Sequence, residues 1–358
     1  MTFLNAYSGF IHDENDNFVN WGKETVLAQK LEYGDTIAVF SPSSPATATA
    51  ETRYIRGKEY LENKGFKILE GNLTGKQDFY RSGNIEERAN ELNELIRNPD
   101  IQCIMAAIGG MNSNSLLPYL DYAALKRKPK IIVGYSDVTA LLLGIYAKTD
   151  LVTYYGPAVV ASLGEFPPFA EETYQFFENV AMGKAKTPYR LPTPKAWTEE
   201  FIDWKTQDRS KQANSNHLVT VNSGKAVGRI IGGNLNTMQG IWNTEYMPEI
   251  RNGDILLLED SLKDAADIER SFSLLKISGV FDKIGGIILG KHELFDDCKT
   301  GRKPYEILKE VIGNVSYPVL AEFDCCHTHP MLTIPIGCTA ELDAASQAVT
   351  IASKFVNE

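Results

Sequence analysis

Cysteine is scarce in this chain: five in 358 residues, at positions 103, 298, 325, 326 and 338. The odd count and irregular spacing exclude a disulfide framework and point to a reducing compartment, so a cytoplasmic location is expected. Long apolar runs are also missing. No stretch approaches the roughly 18 residues of a membrane span, and MTFLNAYSGFIHDENDNF has neither the basic start nor the apolar core of a secretory leader. Positive charge is in deficit, with 36 Lys and Arg against 46 Asp and Glu. A formal net charge of −10 disfavours nucleic acid or an anionic membrane as the main partner. An anionic substrate would therefore need its own cation in the site. Neither G-x-G-x-x-G nor a Walker sequence occurs, which argues against nucleoside triphosphate chemistry.

What is present is an ordinary globular balance, 43% hydrophobic and 23% charged, at about twice the usual single-domain length. TIAVF (36–40), FKILE (66–70), IQCIMAAI (101–108) and KIIVGY (130–135) are short apolar runs of the kind found in strands buried on both faces. Between them lie helical patterns. In NIEERANELNELIRN, Ile85, Ala89, Leu92 and Ile96 share one face behind a capping Asn84. This alternation predicts βαβ crossovers and a parallel sheet over an N-terminal domain, 1–182. Residues 183–215, rich in Pro, Lys and polar side chains, show no period and read as a linker or functional loop. HLVTV (217–221), GRIIGG (228–233), DILLLE (254–259), GGIILG (285–290) and PVL (318–320), with a closing hairpin, predict a mixed α/β C-terminal domain over 216–358.

In KIIVGYSDVTALLLGIYA a buried strand runs into Ser136 and then an apolar helix. That is the setting of a nucleophile elbow, although Val138 stands where G-x-S-x-G has its second glycine. The alternative is that Ser136 only caps the helix. A serine nucleophile needs a base and an orienting carboxylate. Of the five histidines, His12, His217 and His292 are at a strand or irregular segment. His327 and His329 lie in FDCCHTHPMLTIPIG, a loop suited to a site. Glu259 ends the DILLLE strand, where open α/β sheets place their sites, and the order Ser136, Glu259, His327 is that of many α/β hydrolases. An exposed strand end for Glu259 and a satisfied loop histidine for His327 remain the plainer alternatives. Gly109 and Gly110 follow another buried strand, and their N–H groups, with that of Asp137, are candidates for an oxyanion hole. Cys325, Cys326, His327 and His329 are potential metal ligands, but adjacent ligands close a tetrahedron poorly and no second Cys or His pair at zinc spacing exists.

GDTIAVFSPSSPAT, IMAAIGGMNSNSLLPYLDY, PKIIVGYSDVTALLLGIYAKT, GRIIGGNLNTMQGIW, GDILLLEDS, IERSFSLLK and FDCCHTHPMLTIPIG together resemble, in order and spacing, the LD-carboxypeptidase family of serine peptidases. Within it they are most similar to the microcin C resistance branch. The resemblance runs from about residue 30 to the end, and the first 25 residues have no counterpart. It implies Ser136 as nucleophile, Glu259 as orienting acid and His327 as general base, in a homodimer with no metal or other cofactor. The implied substrate is a small aminoacyl- or peptidyl-nucleotide, cleaved at the amide to a modified adenylate. The family's murein branch, which releases a terminal D-alanine from tetrapeptides, is one alternative, and a catalytically silent protein that binds the nucleotide peptide is the other. KAWTEEFIDW resembles a catalytic-loop insertion of the first branch. Its Trp197 and Trp204 offer faces for a purine, or else anchor the loop. Lys263 and Glu293 match positions that resemble substrate-contacting ones. Lys263 is expected one helical turn past Glu259, in a helix beginning near Ser261.

Overall fold

The computed structural model describes residues 25–358 other than Cys326, together with the backbone of a short hairpin, Phe10–His12 against Phe18–Asn20. The remaining early residues and the His12 side chain lie outside the described residues. Two sheets organise the molecule. The first has six strands in the order Ile334–Ile336, Thr153–Tyr155, Ile131–Gly134, Ile101–Ala106, Thr36–Phe40, Lys67–Glu70. All are parallel except the strand 334–336 at one edge. Its central strands are apolar on both faces because helices cover both: Ile37 to Phe40 and Cys103 to Ala106 are all buried. The helix Ile85–Arg97 starts on the capping box foreseen at Asn84, which accepts the Glu87 N–H at 2.9 Å, and it buries Ala89, Leu92 and Ile96.

The second sheet is mixed and has eight strands. Its parallel centre is Lys225–Asn234, Ile255–Glu259, Gly286–Gly290 and Val319–Phe323. Antiparallel neighbours flank it, including the expected closing hairpin Thr339–Asp343 with Ala348–Ile351. The chain crosses the boundaries expected at 182 and 216. Tyr189–Arg190, inside the supposed linker, pairs with the edge of the second sheet, and Ile334–Ile336 returns to the first.

That return has a consequence for chemistry. The loop 324–333 leaves the second sheet at Phe323 and enters the first at Ile334, so a residue on it stands between the two. The helix Thr139–Thr149 is buried on nearly every side because it lies between the first sheet and the strand 225–234. Leu141, Leu142, Leu143 and Ile145 are each at most 1% exposed, and burying each contributes about 1.5–3 kcal/mol. Gly233, with φ of 150°, permits this approach: a Cβ there would sit 2.8 Å from Thr139 Cγ2 and 2.9 Å from the Tyr155 ring.

Candidate active site

The strand Ile131–Gly134 ends at Tyr135, still extended, and Ser136 then takes a left-handed conformation with φ of 61°. A non-glycine residue there costs on the order of 1 kcal/mol or more and persists only where its surroundings hold it. A short 3₁₀ turn, Ser136–Val138, leads into the helix Thr139–Thr149. Val138 occupies that helix's cap position and no side chain caps it, so the capping role is not the one Ser136 plays. Gly109 lies directly against the turn: a Cβ at that position would be 2.9 Å from Ser136 Cβ and 3.1 Å from the Asp137 nitrogen. At Gly110, φ is 151° and a Cβ would collide with Ser43 Oγ. The buried Asp137 carboxylate binds this glycine loop to the turn. Its Oδ2 accepts the N–H groups of Asn112 at 3.0 Å and Ser113 at 2.9 Å. Burial raises the Asp137 pKa against those same hydrogen bonds.

Glu259 ends its strand opposite Asn234 and is fully buried. Its Oε2 meets His327 Nδ1 at 2.8 Å, and its Oε1 accepts the Tyr155 hydroxyl at 2.5 Å and Asn234 Nδ2 at 3.0 Å. The Tyr155 oxygen in turn accepts the Ser136 N–H at 3.3 Å, so one phenol links the elbow to the acid. Burial alone would raise the Glu259 pKa. The His327 charge and these three hydrogen bonds outweigh burial and hold it below the ordinary carboxylate value. Burial likewise disfavours a charged His327, but Glu259 reverses the sign, with Glu293 and Asp260 adding to it, and the imidazole pKa is raised. The ring is braced edge-on by Tyr135, 4.9 Å between centroids, with its side chain 13% exposed. Asp324 anchors its loop by accepting Lys291 Nζ at 2.6 Å, Asn216 Nδ2 at 2.9 Å and, on its carbonyl, the Leu332 N–H at 2.7 Å. Among the described residues no hydrogen bond joins Ser136 Oγ to His327. Such contacts often tighten only when substrate is bound.

Both side chains line a cleft of about 380 Å³. Gly110, Trp204, Lys263 and Glu293 line it too. Trp197 does not. It lies in a two-residue strand paired with Asn214–Ser215, with the Lys291 ammonium 5.3 Å from its ring centroid. Lys263 reaches the cleft by a different route from the one expected. The helix begins only at Ala265, where Asp264 accepts the Asp267 N–H at 2.8 Å, and Leu262 has a φ of 54° that no helix from Ser261 could contain. Residues 261–264 instead run beside 293–296, with Leu262 N–H on the Glu293 carbonyl at 2.9 Å, which brings Lys263 and Glu293 to the same wall. Burial raises the Glu293 pKa, opposed by His327 and Lys211.

The other histidines are placed otherwise. His292 is buried, its pKa pushed down to about 4, with Nδ1 on the Gly290 carbonyl at 3.0 Å. His329 lines the cleft, and burial holds it neutral. Among the described residues no three His, Cys, Asp or Glu side chains converge to hold a metal, and Cys326 lies outside them. No helix of the described residues is long and apolar enough to cross a membrane. Sequence reasoning missed Tyr155, Asn234 and Asp260. Asp260 follows Glu259 and also lines the cleft, and burial, then the Glu259 charge, pushes its pKa up to about 6. The signal available for all three was position, each at or just beyond the C-terminal end of a central strand.

Comparison with known proteins identifies the family. Residues 37–156 match the LD-carboxypeptidase N-terminal domain and residues 227–342 the LD-carboxypeptidase C-terminal domain. The chain is 54% identical over 334 residues to the microcin C7 self-immunity protein MccF of Escherichia coli, covering 93% of this chain and 97% of that protein. A solved structure of MccF in complex with aspartyl sulfamoyl adenosine superposes with a TM-score of 0.91 at 54% identity, over 93% of this chain and 100% of the other. The complex of MccF with glutamyl sulfamoyl guanosine gives 0.90 at 54% identity, over 92% and 99%. Matched in both halves by the two domains of one family, and aligned nearly end to end with a relative at 54% identity, the chain belongs to the LD-carboxypeptidase family of serine peptidases, on its MccF branch.

Proposed function

We propose that this protein is a serine-dependent amidase that cleaves the bond between an aminoacyl or peptidyl group and a modified adenylate, detoxifying inhibitors of the microcin C type. The observation that carries the reading is the coupling of Ser136, Tyr155, Glu259 and His327 across two sheets, opening on a cleft that also holds Trp204 and Lys263. Its likeness to a protein solved with aminoacyl sulfamoyl nucleosides supports the substrate class.

In this account His327 takes the Ser136 proton as the hydroxyl attacks the carbonyl. Glu259 orients the ring through Nδ1 and stabilises the imidazolium that forms. The N–H groups of Gly110 and Asp137 receive the oxyanion, where one such donor is worth about 3–4 kcal/mol in the transition state. His327 then protonates the leaving nitrogen, and water, activated by the same ring, hydrolyses the acyl enzyme. Trp204 stacks on the purine, and Lys263 and Glu293 contact the aminoacyl part. The acidic surface makes Lys263 the cation for an aspartyl or glutamyl side chain. The protein works as a cytoplasmic homodimer without a cofactor.

The test is a substrate panel. Purified protein incubated with glutamyl sulfamoyl adenosine should release glutamate and the sulfamoyl nucleoside, and should leave a murein tetrapeptide intact. Cleavage of the tetrapeptide alone would assign it to murein trimming, and binding of the nucleoside without cleavage would make it a sequestering protein.

A further inference from the structure

Arg53 is a large charged side chain with no solvent exposure, far in sequence from the elbow and unused by the mechanism. Its Nε donates to the Val160 carbonyl at 2.8 Å, and its Nη2 to the Ala161 carbonyl at 2.8 Å and to Glu165 Oε2 at 2.7 Å. The remaining nitrogen, Nη1, donates to Gln207 Oε1, and Gln207 Nε2 donates back to Glu165 Oε1 and to the Arg209 carbonyl, the last at 3.1 Å. Gln207 thus closes a ring with a buried ion pair, and it belongs to the segment 198–212 that borders the cleft. That segment has little regular structure of its own. Its exposed contacts, such as Arg209 with Glu200, contribute little to fixing it.

The guanidinium does one more thing. Its carbon lies 4.9 Å from the centroid of the Trp204 ring, while Trp204 also lines the cleft. One flank of the indole is therefore seated on a fixed cation. A buried ion pair is poor evidence of stability in itself, since apolar residues of similar volume usually serve as well. A planar, five-donor group held at each of its nitrogens is suited to setting position.

We propose that Arg53, Glu165 and Gln207 are positioning residues for nucleobase recognition: they fix the segment 198–212 so that Trp204 meets the base at a set height and tilt. This rests on the aminoacyl-nucleotide reading above and adds to it the device that orients the stacking ring. The chemical step at Ser136 does not depend on the network, so a substrate without a base is indifferent to it.

The experiment uses Gln207→Leu, which removes the segment's hydrogen bonds to the Arg53–Glu165 pair, leaves that pair intact and keeps the Lys211 ammonium 3.7 Å from Glu165. Gln207→Asn, too short to reach both partners, replaces it if the first variant does not fold by its melting curve. AMP affinity is read by calorimetry, and turnover with glutamyl sulfamoyl adenosine and with p-nitrophenyl acetate. Loss of well-placed stacking should raise the AMP Kd and the nucleotide KM by about tenfold. The kcat for that substrate and the ester hydrolysis should stay within about twofold, and in a Trp204→Ala background Gln207→Leu should add nothing. An unchanged AMP Kd, or an equal loss on both substrates, overturns the proposal while leaving the amidase reading in place. Wild-type protein that neither binds AMP nor cleaves the nucleotide overturns both.

Discussion

Replacing Glu259 by Gln removes one charge from a fully buried site while keeping the side chain's length and most of its hydrogen-bonding capacity. In the wild-type protein His327 Nδ1 lies 2.8 Å from the carboxylate, and the imidazolium is favoured against the pull of burial. A carboxylate at such range typically raises a partner's pKa by about 1–3 units, or roughly 1.4–4 kcal/mol of imidazolium stabilisation. With that charge gone, burial is opposed only by Glu293 and Asp260, and the pKa of the ring falls. The sign of the kinetic effect follows. A general base works deprotonated, so log kcat/KM rises with pH through the His327 pKa, and the Gln variant should begin to rise at a pH lower by about 1–3 units. Its plateau should fall by about 10²–10⁴-fold, because the imidazolium formed during attack has lost its counter-charge. The assay is the pH profile of kcat/KM with glutamyl sulfamoyl adenosine between pH 5 and 10, about the range that brackets both positions of the ring's pKa. An acid limb that stays in place while activity falls would refute the claim that Glu259 sets the charge of His327.

Ser136→Ala and His327→Ala should each reduce kcat by several orders of magnitude, and the double variant should lose little more than either, because triad members act as a unit; additive losses would contradict a shared mechanism. Gly109→Ala would place a methyl 2.9 Å from Ser136 Cβ, so kcat should fall by about tenfold or more with the melting temperature changed by only a few degrees, and unaltered kcat would show that the glycine loop lies farther from the reacting centre. Lys263→Ala should lower kcat/KM for aspartyl and glutamyl substrates by about 10²-fold and leave an uncharged analogue nearly unaffected. Equal effects on all of them would remove Lys263 as the selector of acidic groups.

Buried apolar strands announced themselves because a strand covered on both faces must be apolar along its whole length. Thr36–Phe40, Ile101–Ala106, Ile131–Gly134 and Ile255–Glu259 all fall within a residue or two of where the runs place them. Ser136, Glu259 and His327 were legible for a related reason: two stand at strand ends and the third in a proline-bearing loop, and the family resemblance bound them together. Tyr155 and Asn234 were not legible. A tyrosine in TYY and an asparagine after a glycine pair have many uses: Asn234 meets Glu259 as its cross-strand neighbour in the second sheet, and the close approach of the two sheets at Gly233 brings Tyr155 there. The helix start was missed for a local reason. Ser261 is an acceptable cap by composition, but the left-handed Leu262 and the better-placed Asp264 delay the helix by a turn. The strand Ile334–Ile336 was missed because a proline in a three-residue run is a poor strand signal, tolerated here at an edge of the sheet.

Covalent catalysis at the elbow requires that Ser136 become acylated by the aminoacyl group of a nucleotide substrate. Rapid-quench mass spectrometry of the protein mixed with glutamyl sulfamoyl adenosine tests it most directly. A transient glutamyl ester is expected on the peptide containing Ser136, formed before free glutamate appears and missing in Ser136→Ala. Glutamate released without any such adduct, together with undiminished turnover in Ser136→Ala, would contradict it.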